Sequence, residues 1–266
     1  MDLKNKVCWI TGASSGIGEG IAHQLAKEGA KIVLSSRKVE ELVRVKNELN
    51  LPENHVLVLP MDMLDSSQFP VKLEEVLKKF GQIDIIFHNA GISQRGMMID
   101  TPAYVDRQVM ELNFMSVMEL TKAVLPQMFK QNSGYFVVTS SIAGKVGTPM
   151  RSAYCASKHA LHGYFDSLRA ELWPQNIGVS LICPGYIKTN ISMNAVGSNG
   201  EKFGKMDKNQ QKGMSVEKCT AKIIEAVKAE KREVYIGGKE VLGVYLKRFF
   251  PSILARIVKD YKIEAV

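Results

Sequence analysis

The sequence predicts an α/β protein in which helices cover both faces of one seven-stranded parallel sheet. Short runs that are apolar throughout alternate with segments of ten or more residues whose apolar positions recur at helical spacing. Strands without a polar face are typical of parallel sheets buried on both sides, and right-handed crossovers then give a doubly wound order. The 266 residues contain no proline-rich linker, repeat or break in composition, so we expect a single domain.

Each element is justified by its local pattern. The seven predicted strands are apolar runs that end near a glycine, a proline or a polar turn, and they read KVCWITG, KIVLSSR, HVLVLPMD, IDIIFHNAG, GYFVVTSS, NIGVSLICPG and EVYIGG. The predicted helices have an apolar stripe at helical spacing, and they read GIGEGIAHQLAKEGA, VEELVRVKNELN, FPVKLEEVLKKFG, residues 103–131, residues 152–172 and SVEKCTAKIIEAVKAEK. Ser215 is expected to cap the last of these helices.

Residues 192–214 interrupt the regular alternation. The segment is polar and rich in glycine, asparagine and lysine. Long irregular segments in compact domains are usually lids or disordered. Because this one follows the carboxyl end of a predicted strand, where ligands bind in such sheets, we expect a mobile lid over a substrate site.

Composition and charge exclude several classes. The net charge of +8 is concentrated in residues 201–266, but the lysines are not interleaved with aromatic residues and no nucleic-acid-binding motif occurs. We therefore expect no nucleic-acid partner, and a basic surface that attracts anionic cofactors, substrates or lipid headgroups. No run is long and apolar enough for a signal peptide or a membrane span, which favours a cytoplasmic protein.

Cysteine and histidine usage indicates neither disulfides nor a metal. The four cysteines are far apart and form no C-x-x-C, so we expect free thiols in a reducing compartment. His159 and His162 could share a helix face, but no cysteine or carboxylate cluster joins them in the sequence, and no metal site is expected.

The turn TGASSGIG lies between the first strand and the first helix. Glycines there allow a tight turn and a close approach to a pyrophosphate, which the free N–H groups at the helix start would bind. A plain glycine-rich turn is the alternative. The residues expected to bind the nucleotide are Gly12, Ser14, Ser15, Gly16, Ile17 and Gly18.

The end of the second strand bears on the choice of nucleotide. It carries Ser36 and Arg37 and no carboxylate that would hydrogen-bond the ribose 2′-hydroxyl of NAD. A guanidinium suits a 2′-phosphate, so NADP(H) is favoured and NAD(H) is the alternative; a solvated Arg37 with no role also remains open. Asp62, after the third strand, is expected either at the adenine edge or as a turn or cap residue.

The stretch RSAYCASKH places Tyr154 four residues before Lys158, on one face of a predicted helix. A free tyrosine with a pKa near 10 is a poor base at neutral pH, and a neighbouring ammonium would stabilise its phenolate. The pair is therefore suited to acid–base chemistry, unless the spacing is a coincidence on a surface helix.

Four motifs now occur in order: TGASSGIG (11–18), HNAG (88–91), SSIAGKVGTPMRSAYCASK (140–158) and PGYIKT (184–189). From about Val7 to Gly238 the chain resembles the short-chain dehydrogenases/reductases, which have a Rossmann-like fold. The resemblance implies that Tyr154 is the general acid in carbonyl reduction and the general base in alcohol oxidation. It implies that Lys158 lowers the pKa of Tyr154 and holds the nicotinamide ribose. It further implies that Ser141 orients the substrate oxygen and that Asn113 supports Lys158 through a water.

The resemblance implies further contacts. The residues it assigns to the cofactor are Asn89, Ala90, Gly91, Pro184, Gly185, Ile187 and Thr189. His88 departs from the family's N-N-A-G, which puts the role of that side chain in doubt. The residues it assigns to the substrate, beside Ser141 and Tyr154, are Tyr186 and Met193, with Met97, Met98 and Met150 as further candidates. A homo-dimer or homo-tetramer is expected on the same ground.

After the last strand, residues 241–266 form a basic amphipathic segment, broken near Pro251, that extends the main domain of residues 1–240. Three interpretations remain open: packing on the domain or across a dimer, a wall of the substrate pocket, or peripheral contact with a membrane surface.

The sequence thus predicts an NADP(H)-dependent oxidoreductase that interconverts a carbonyl and a secondary alcohol. The substrate is expected to be apolar: steroid- or retinoid-like, a 3-oxoacyl compound, or a simple aldehyde or ketone. The alternative is a nucleotide-bound regulatory or scaffold protein of the same fold; the presence of both Tyr154 and Lys158 favours the enzyme.

Overall fold

The computed structural model describes residues 1–259 and shows one α/β domain. Seven parallel strands form a sheet in the order 3-2-1-4-5-6-7. The strands are β1 (Val7–Thr11), β2 (Lys31–Ser35), β3 (Val56–Val58), β4 (Ile85–His88), β5 (Gly134–Thr139), β6 (Ile177–Pro184) and β7 (Glu233–Ile236). In the register at the centre of the sheet, Trp9 of β1 stands opposite Val33 of β2 and Ile86 of β4. The seven strands and the doubly wound order confirm the predicted fold class.

Ten α-helices cover the sheet within the described residues. They are α1 (Gly16–Lys27), α2 (Val39–Glu48), α3 (Phe69–Phe80), α4 (Ala103–Met110), α5 (Ser116–Gln131), α6 (Ser152–Glu171), α7 (Lys208–Gln211), α8 (Val216–Lys228), α9 (Leu242–Phe249) and α10 (Pro251–Lys259). No helix in residues 1–259 combines the length and the apolar character that crossing a membrane requires.

Two apolar cores lie on opposite faces of the sheet. Alternation along a strand sends successive side chains to opposite faces. Thus Cys8 and Ile10 pack with α1, α2 and α8, whereas Val7 and Trp9 pack with α3, α5 and α6. Because both faces are covered, each strand is apolar throughout, which is the pattern that predicted the sheet.

Two segments differ from the sequence prediction in detail, and a third agrees with it. The helical segment over 103–131 is α4 and α5 joined by a π-helical turn, Glu111–Met115. Residues 192–214 contain a short strand, Val196–Gly197, paired in parallel with Gln94–Arg95, and the helix α7. The C-terminal segment is broken at Pro251 as predicted, with α9 before it and α10 beginning at it. The last part of that predicted extension, residues 260–266, lies outside the described residues.

Candidate active site

A cleft of about 1240 Å³ opens at the carboxyl edge of the sheet, where the strand order reverses between β1 and β4. Many of its lining residues follow the ends of strands, because parallel strands all point their carboxyl ends to this edge. We call the part formed after β1, β2 and β3 the glycine end. We call the part lined by Arg95, Arg151, Tyr186, Ala195 and Leu254 the far end.

The glycine end is shaped by close backbone packing. Gly12 has φ +67°, and a Cβ on it would lie 2.9 Å from the Cα of Ala90. A Cβ on Gly18 would overlap the carbonyl oxygen of Gly12, so α1 starts directly against the turn. The N-terminus of α1 therefore faces the cleft with its N–H groups. These groups form a cradle that fits a pyrophosphate, and side chains at the glycine positions would fill it. The predicted residues that line it are Ser14, Ser15, Gly16 and Ile17; Gly18 supports it from behind.

The residues after β2 and β3 also line the glycine end. Arg37 is 66% exposed in its side chain, and its Nη1 lies 4.0 Å from Oδ2 of Asp62. Ser36 and Asp62 line the cleft beside it, as the sequence predicted, and so does Lys38, which sequence reasoning missed. The two cations Arg37 and Lys38, next to the hydroxyl of Ser36, form a surface suited to a phosphate.

Asn89, Ala90 and Gly91, which follow β4, lie against the glycine turn after β1. Thr11 Oγ1 accepts hydrogen bonds from the backbone N–H groups of Asn89 (3.0 Å) and Ala90 (3.1 Å), which ties the end of β4 to the end of β1. Asn89, Ala90 and Gly91 line the cleft. His88 does not belong to this site: it is buried in the core, stacked on Phe136, and burial lowers its pKa to about 3.

Tyr154 and Lys158 both lie in α6 and line the cleft, with 7% and 5% exposure. The Nζ of Lys158 lies 5.9 Å from the centroid of the Tyr154 ring and donates a hydrogen bond of 2.9 Å to the carbonyl oxygen of Thr139. A Cβ on Gly91 would lie 3.6 Å from the same Nζ, so the ammonium borders the glycine end. Burial lowers the pKa of Lys158 to about 8, while Cys183 acts to raise it.

The pKa of Tyr154 differs from the expectation. Burial raises it, and the groups that act to lower it are a hydrogen bond with Ser141 and the charge of Arg151, not Lys158. With the ammonium turned toward Thr139, desolvation of the phenol is the largest effect. In this structure burial therefore favours the neutral, protonated form of Tyr154.

Ser141 and Asn113 are held by different elements. Ser141 caps the short helix after β5, accepting from the N–H of Ala143 at 3.1 Å, and its Oγ donates to the carbonyl of Pro184 at 3.3 Å. Asn113 is fully buried in the π-helical turn, where its side chain binds both backbone groups of Ile92 at 2.8 and 2.9 Å. Asn113 does not line the cleft; its side chain contacts Ile92 and Ser157 behind the lining.

The turn PGYIKT follows β6 and is fixed from two sides. The Glu240 carboxylate accepts from the N–H of Tyr186 at 2.9 Å, and a Cβ on Gly185 would overlap it. Thr189 Oγ1 accepts from Gln210 at 3.2 Å. The predicted residues of this turn that line the cleft are Pro184, Gly185, Tyr186, Ile187 and Thr189. Sequence reasoning missed Glu240, because it lies 54 residues from Tyr186.

Residues 192–214 are anchored by a buried ion-pair triad. Asp207 Oδ2 lies 3.1 Å from Nη2 of Arg95 and 3.2 Å from Nη2 of Arg151. Ser192 and Asp207 are at most 1% exposed, and the segment runs along the far end of the cleft. The segment thus lies along the cleft where a lid was expected, and buried ion pairs hold it against the domain in this structure; its mobility stays a prediction.

The expected methionine-lined pocket is not found among residues 1–259. The methionines that line the cleft are Met61, Met63 and Met206, and none of Met193, Met97, Met98 and Met150 does. Met97 and Met98 are 52% and 71% exposed, because they precede and begin a short turn on the surface. The apolar side chains at the far end are instead Ile92, Leu112, Val146, Tyr186, Ile191, Ala195 and Leu254.

The C-terminal helices have two faces. Val244 of α9 and Leu254 of α10 pack against Ile142 and Val146, and Leu254 reaches the cleft. This placement supports both packing on the domain and a role as pocket wall. The outward face carries large apolar side chains that are 49–68% exposed: Leu242, Tyr245, Phe249, Phe250, Ile253 and Ile257.

A buried polar cluster lies behind Lys158 and was not expected. Ser140 Oγ donates to the carbonyl of Lys158 at 3.1 Å and lies 3.0 Å from Nε2 of His162. Cys183 Sγ lies 3.7 Å from the same nitrogen, and Glu233 lies 3.5 Å from Nδ1. Sequence spacing could not show this cluster, because Ser140 follows β5 and the other members come from α6, β6 and β7.

Glu233 is strongly acidic in this cluster. Burial alone would raise its pKa, but hydrogen bonds from His162, Tyr235 and Lys145 lower the pKa to about 2. The carboxylate is thus ionised over a wide range of pH and stays paired with the Lys145 ammonium at 3.0 Å.

Together, the cradle at the start of α1 and the Tyr–Lys pair in one cleft define a nucleotide-dependent oxidoreductase. Comparison with known proteins gives the family. Residues 6–199 match the model of the short chain dehydrogenases. The chain is 41% identical over 94% of its length to "Dehydrogenase/reductase SDR family member 7" of Homo sapiens, covering 76% of that protein. It is 40% identical over 96% of its length to member 7B of Mus musculus, covering 81% of it.

Solved structures of short-chain dehydrogenases are similar to this chain in fold. A short-chain dehydrogenase from Streptomyces avermitilis is 29% identical and superimposes with a TM-score of 0.81 over 96% of both chains. A short-chain dehydrogenase/reductase from Burkholderia phymatum, solved with NAD, superimposes with a TM-score of 0.85 over 95% of this chain and 96% of that one, at 24% identity, and shows the likeness of fold. This chain belongs to the short-chain dehydrogenase/reductase family, whose members are oxidoreductases acting on CH–OH groups with a nicotinamide nucleotide.

Proposed function

We propose that this chain interconverts a carbonyl and a secondary alcohol with NADP(H), and that Tyr154 is the general acid and base. The observation that carries the proposal is the placement of Tyr154, Lys158 and Ser141 in one cleft with the glycine cradle. Hydride and proton must reach one carbonyl group in the same site, and this cleft offers a nucleotide cradle beside a buried phenol.

A bound nicotinamide nucleotide supplies or accepts the hydride. In reduction, Tyr154 gives the proton of its hydroxyl to the substrate oxygen, and in oxidation it takes that proton back. Ser141, which hydrogen-bonds the same phenol, orients the substrate oxygen. Lys158 would hold the nicotinamide ribose of a bound nucleotide, and its charge would stabilise the phenolate that remains after reduction. The burial of Tyr154 excludes water from the proton transfer.

Asn113 supports this machinery from the π-helical turn. It holds the backbone of Ile92 and donates to Ser157 at 3.0 Å, and Ser157 lies in α6 next to Lys158. In our proposal Asn113 fixes the position of α6 relative to the chain after β4.

The test is oxidation of NADPH and NADH with a carbonyl panel of steroids, retinal, 3-oxoacyl thioesters and simple ketones. We expect turnover by the wild type and a loss of roughly 10²- to 10⁴-fold in kcat/KM for Tyr154→Phe. Tyr245→Phe, an exposed tyrosine on α9 that does not line the cleft, is the matched control and should retain activity. Nucleotide binding without turnover of any carbonyl or alcohol would instead support the nucleotide-bound regulatory or scaffold protein.

The preference for NADP(H) rests on Arg37 and Lys38 at the glycine end. We expect Arg37→Gln to weaken NADPH binding roughly 10- to 100-fold, the value of a charge-assisted hydrogen bond, with little change for NADH. Equilibrium titration of both nucleotides measures this. Tighter binding of NADH than NADPH by the wild type would reverse the assignment. Arg107→Gln, on the exposed side of α4, is the control.

The apolar lining of the far end supports an apolar substrate body, and the panel distinguishes steroid- or retinoid-like, 3-oxoacyl and simple carbonyl compounds.

We further propose that the outward face of α9 and α10 rests on an anionic lipid surface. Its six exposed apolar side chains lie among Lys247, Arg248, Arg256 and Lys259.

Pelleting with phosphatidylserine vesicles should carry down the wild type and much less of a Phe249→Ser/Phe250→Ser variant. Equal recovery of both would contradict the membrane proposal. The dimer or tetramer and the cytoplasmic location stay predictions, which light scattering and imaging of the full chain would test.

A further inference from the structure

Two guanidinium groups share one carboxylate in the wall of the far end. Oδ2 of Asp207 accepts from Nη2 of both Arg95 and Arg151. Its other oxygen, Oδ1, accepts from the backbone N–H groups of Asn209 and Gln210 and so caps α7. Asp207 is thus fully occupied by groups of the protein.

The charges of this triad do not balance. Among residues 1–259, Asp207 is the one carboxylate within 4.0 Å of either guanidinium. Arg95 and Asp207 are each 1% exposed in their side chains, and Arg151 is 14% exposed. One positive charge therefore remains uncompensated in a wall that water hardly reaches. Such a charge is unfavourable unless an anion pairs with it.

The free donors belong mainly to Arg151. A guanidinium has five N–H donors, and Arg151 uses one of them in the hydrogen bond to Asp207. Its Nε is buried without an acceptor among the described residues, as is the Nε of Arg95. Because Arg151 is the more exposed of the two and lines the cleft, it is the residue that can offer donors to a ligand.

The position of Arg151 points to the substrate and not to the nucleotide phosphates. Arg151 immediately precedes α6, three residues before Tyr154, and its charge acts to lower the pKa of that phenol. The cradle for phosphates lies instead at the start of α1, and Arg37 follows β2. Arg151 is thus a cation beside the proposed proton donor, held in place by Asp207 and Arg95.

We propose that the substrate carries an anionic group, a carboxylate or a phosphate monoester, that pairs with Arg151. This inference rests on the proposed carbonyl–alcohol function. Arg95 and Asp207 are positioning residues that fix the guanidinium, whose planar fork matches both anions. With the apolar side chains of Ile92, Val146 and Leu254 in the same cleft, the substrate is an anionic amphiphile.

The experiment compares matched carbonyl substrates. These are medium-chain oxocarboxylic acids with the carbonyl at successive positions, their methyl esters, and the phosphate monoesters of the corresponding hydroxy ketones. We expect the wild type to have a higher kcat/KM for an anionic member than for its neutral counterpart. The advantage should fall as ionic strength rises, because salt screens the pairing. The better of the carboxylate and phosphate series identifies the anion.

Arg151→Gln should lower kcat/KM for the anionic substrate about 10- to 100-fold, chiefly through KM, and change the neutral ester less than about threefold. Arg151→Lys keeps the charge without the planar fork and should restore part of the loss. Arg107→Gln, on the exposed side of α4, is the matched control. NADPH affinity of the variants is measured in parallel to show that the glycine end is intact.

A wild type that prefers the ester at every carbonyl position would overturn the proposal. So would an equal loss for acid and ester in Arg151→Gln, since the triad would then only anchor residues 192–214. If Arg151→Gln does not fold, the wild-type comparison and Arg151→Lys decide. Failure of the proposed function is a different result: no turnover of any carbonyl, neutral or anionic, with either nucleotide.

Discussion

The two ends of the cleft are built in opposite ways. At the glycine end, Gly12, Gly16 and Gly18 come from a single turn, whose close backbone packing leaves no room for side chains at Gly12 and Gly18. At the far end, Arg95 meets Asp207 across 112 residues, and Leu254 packs against Val146. The glycine end therefore depends on local geometry, whereas the far end depends on the fold bringing distant side chains together.

This difference predicts separable defects. A change in the glycine turn should weaken the nucleotide and leave the far end intact. A change in the triad should loosen residues 192–214 and leave the glycine turn intact. Tyr154 and Lys158 adjoin both ends, so a change there should affect catalysis most.

The largest effect is expected for Lys158→Met, which removes the ammonium and retains the buried stem. We expect kcat/KM to fall roughly 10²- to 10⁴-fold, with weaker nucleotide binding, because no cation remains beside Tyr154 and the ribose. Lys122→Met, on the exposed face of α5, is the control. A loss of less than about tenfold in steady-state kinetics would remove Lys158 from the machinery.

Asp207→Asn tests the far end. The change leaves two buried guanidinium groups without a counter-ion, a loss of about 3–5 kcal/mol in typical buried pairs. We expect faster hydrogen exchange in residues 192–214 and a smaller loss of NADPH affinity than in Gly18→Ala, because this segment adjoins the predicted nucleotide site through the hydrogen bond from Gln210 to Thr189 and does not form the glycine turn. Asp166→Asn, which breaks a surface pair with Arg169, should change stability by only about 0–1 kcal/mol. Exchange that rises equally in β1 and in 192–214 would show that the two ends are not independent.

Gly18→Ala tests the glycine end. Its Cβ would overlap the Gly12 carbonyl, and relieving such overpacking costs about 1–3 kcal/mol. Shifted N–H groups at the start of α1 should weaken NADPH binding about 10- to 100-fold. Gly163→Ala in α6, where a Cβ meets nothing within 4 Å, should bind NADPH as the wild type does. Normal nucleotide affinity in Gly18→Ala would mean that the turn tolerates movement.

Glu233→Gln should have the smallest effect on activity, because Glu233 does not line the cleft, and its effect on stability should depend on pH. Because the folded pKa of Glu233 is lowered to about 2, its ionisation stabilises the fold above the unfolded value near 4.5. That stabilisation is lost as pH falls from about 4.5 to about 2. Urea unfolding should therefore show a less stable variant at pH 7 and converging curves at low pH. Glu225→Gln on exposed α8 is the control; a constant difference at all pH values would contradict the prediction.

The sequence predicted the features that local patterns determine. Apolar periodicity indicated the strands and helices, and the motifs predicted residues that the structure does bring into one cleft, such as Gly12 and Tyr154. It could not predict Glu240, Asp207 or the cluster around His162, because these contacts join residues far apart in the chain. The prediction that Met193 contacts the substrate has the same weakness. The path of residues 192–214 decides which side chains reach the cleft, and Met193 does not line it.

The π-helical turn has one more consequence. Its five residues, Glu111–Met115, form a wider turn than that of an α-helix. Asn113 lies at the centre of this turn, and both its side-chain oxygen and its side-chain nitrogen are hydrogen-bonded. Removing any one of them would let α4 and α5 close into one regular helix and rotate α4 by about 100° relative to α5. The inward direction of Asn113 is thus encoded by the number of residues as well as by their identity. A substitution in this turn can be tolerated where a one-residue deletion cannot.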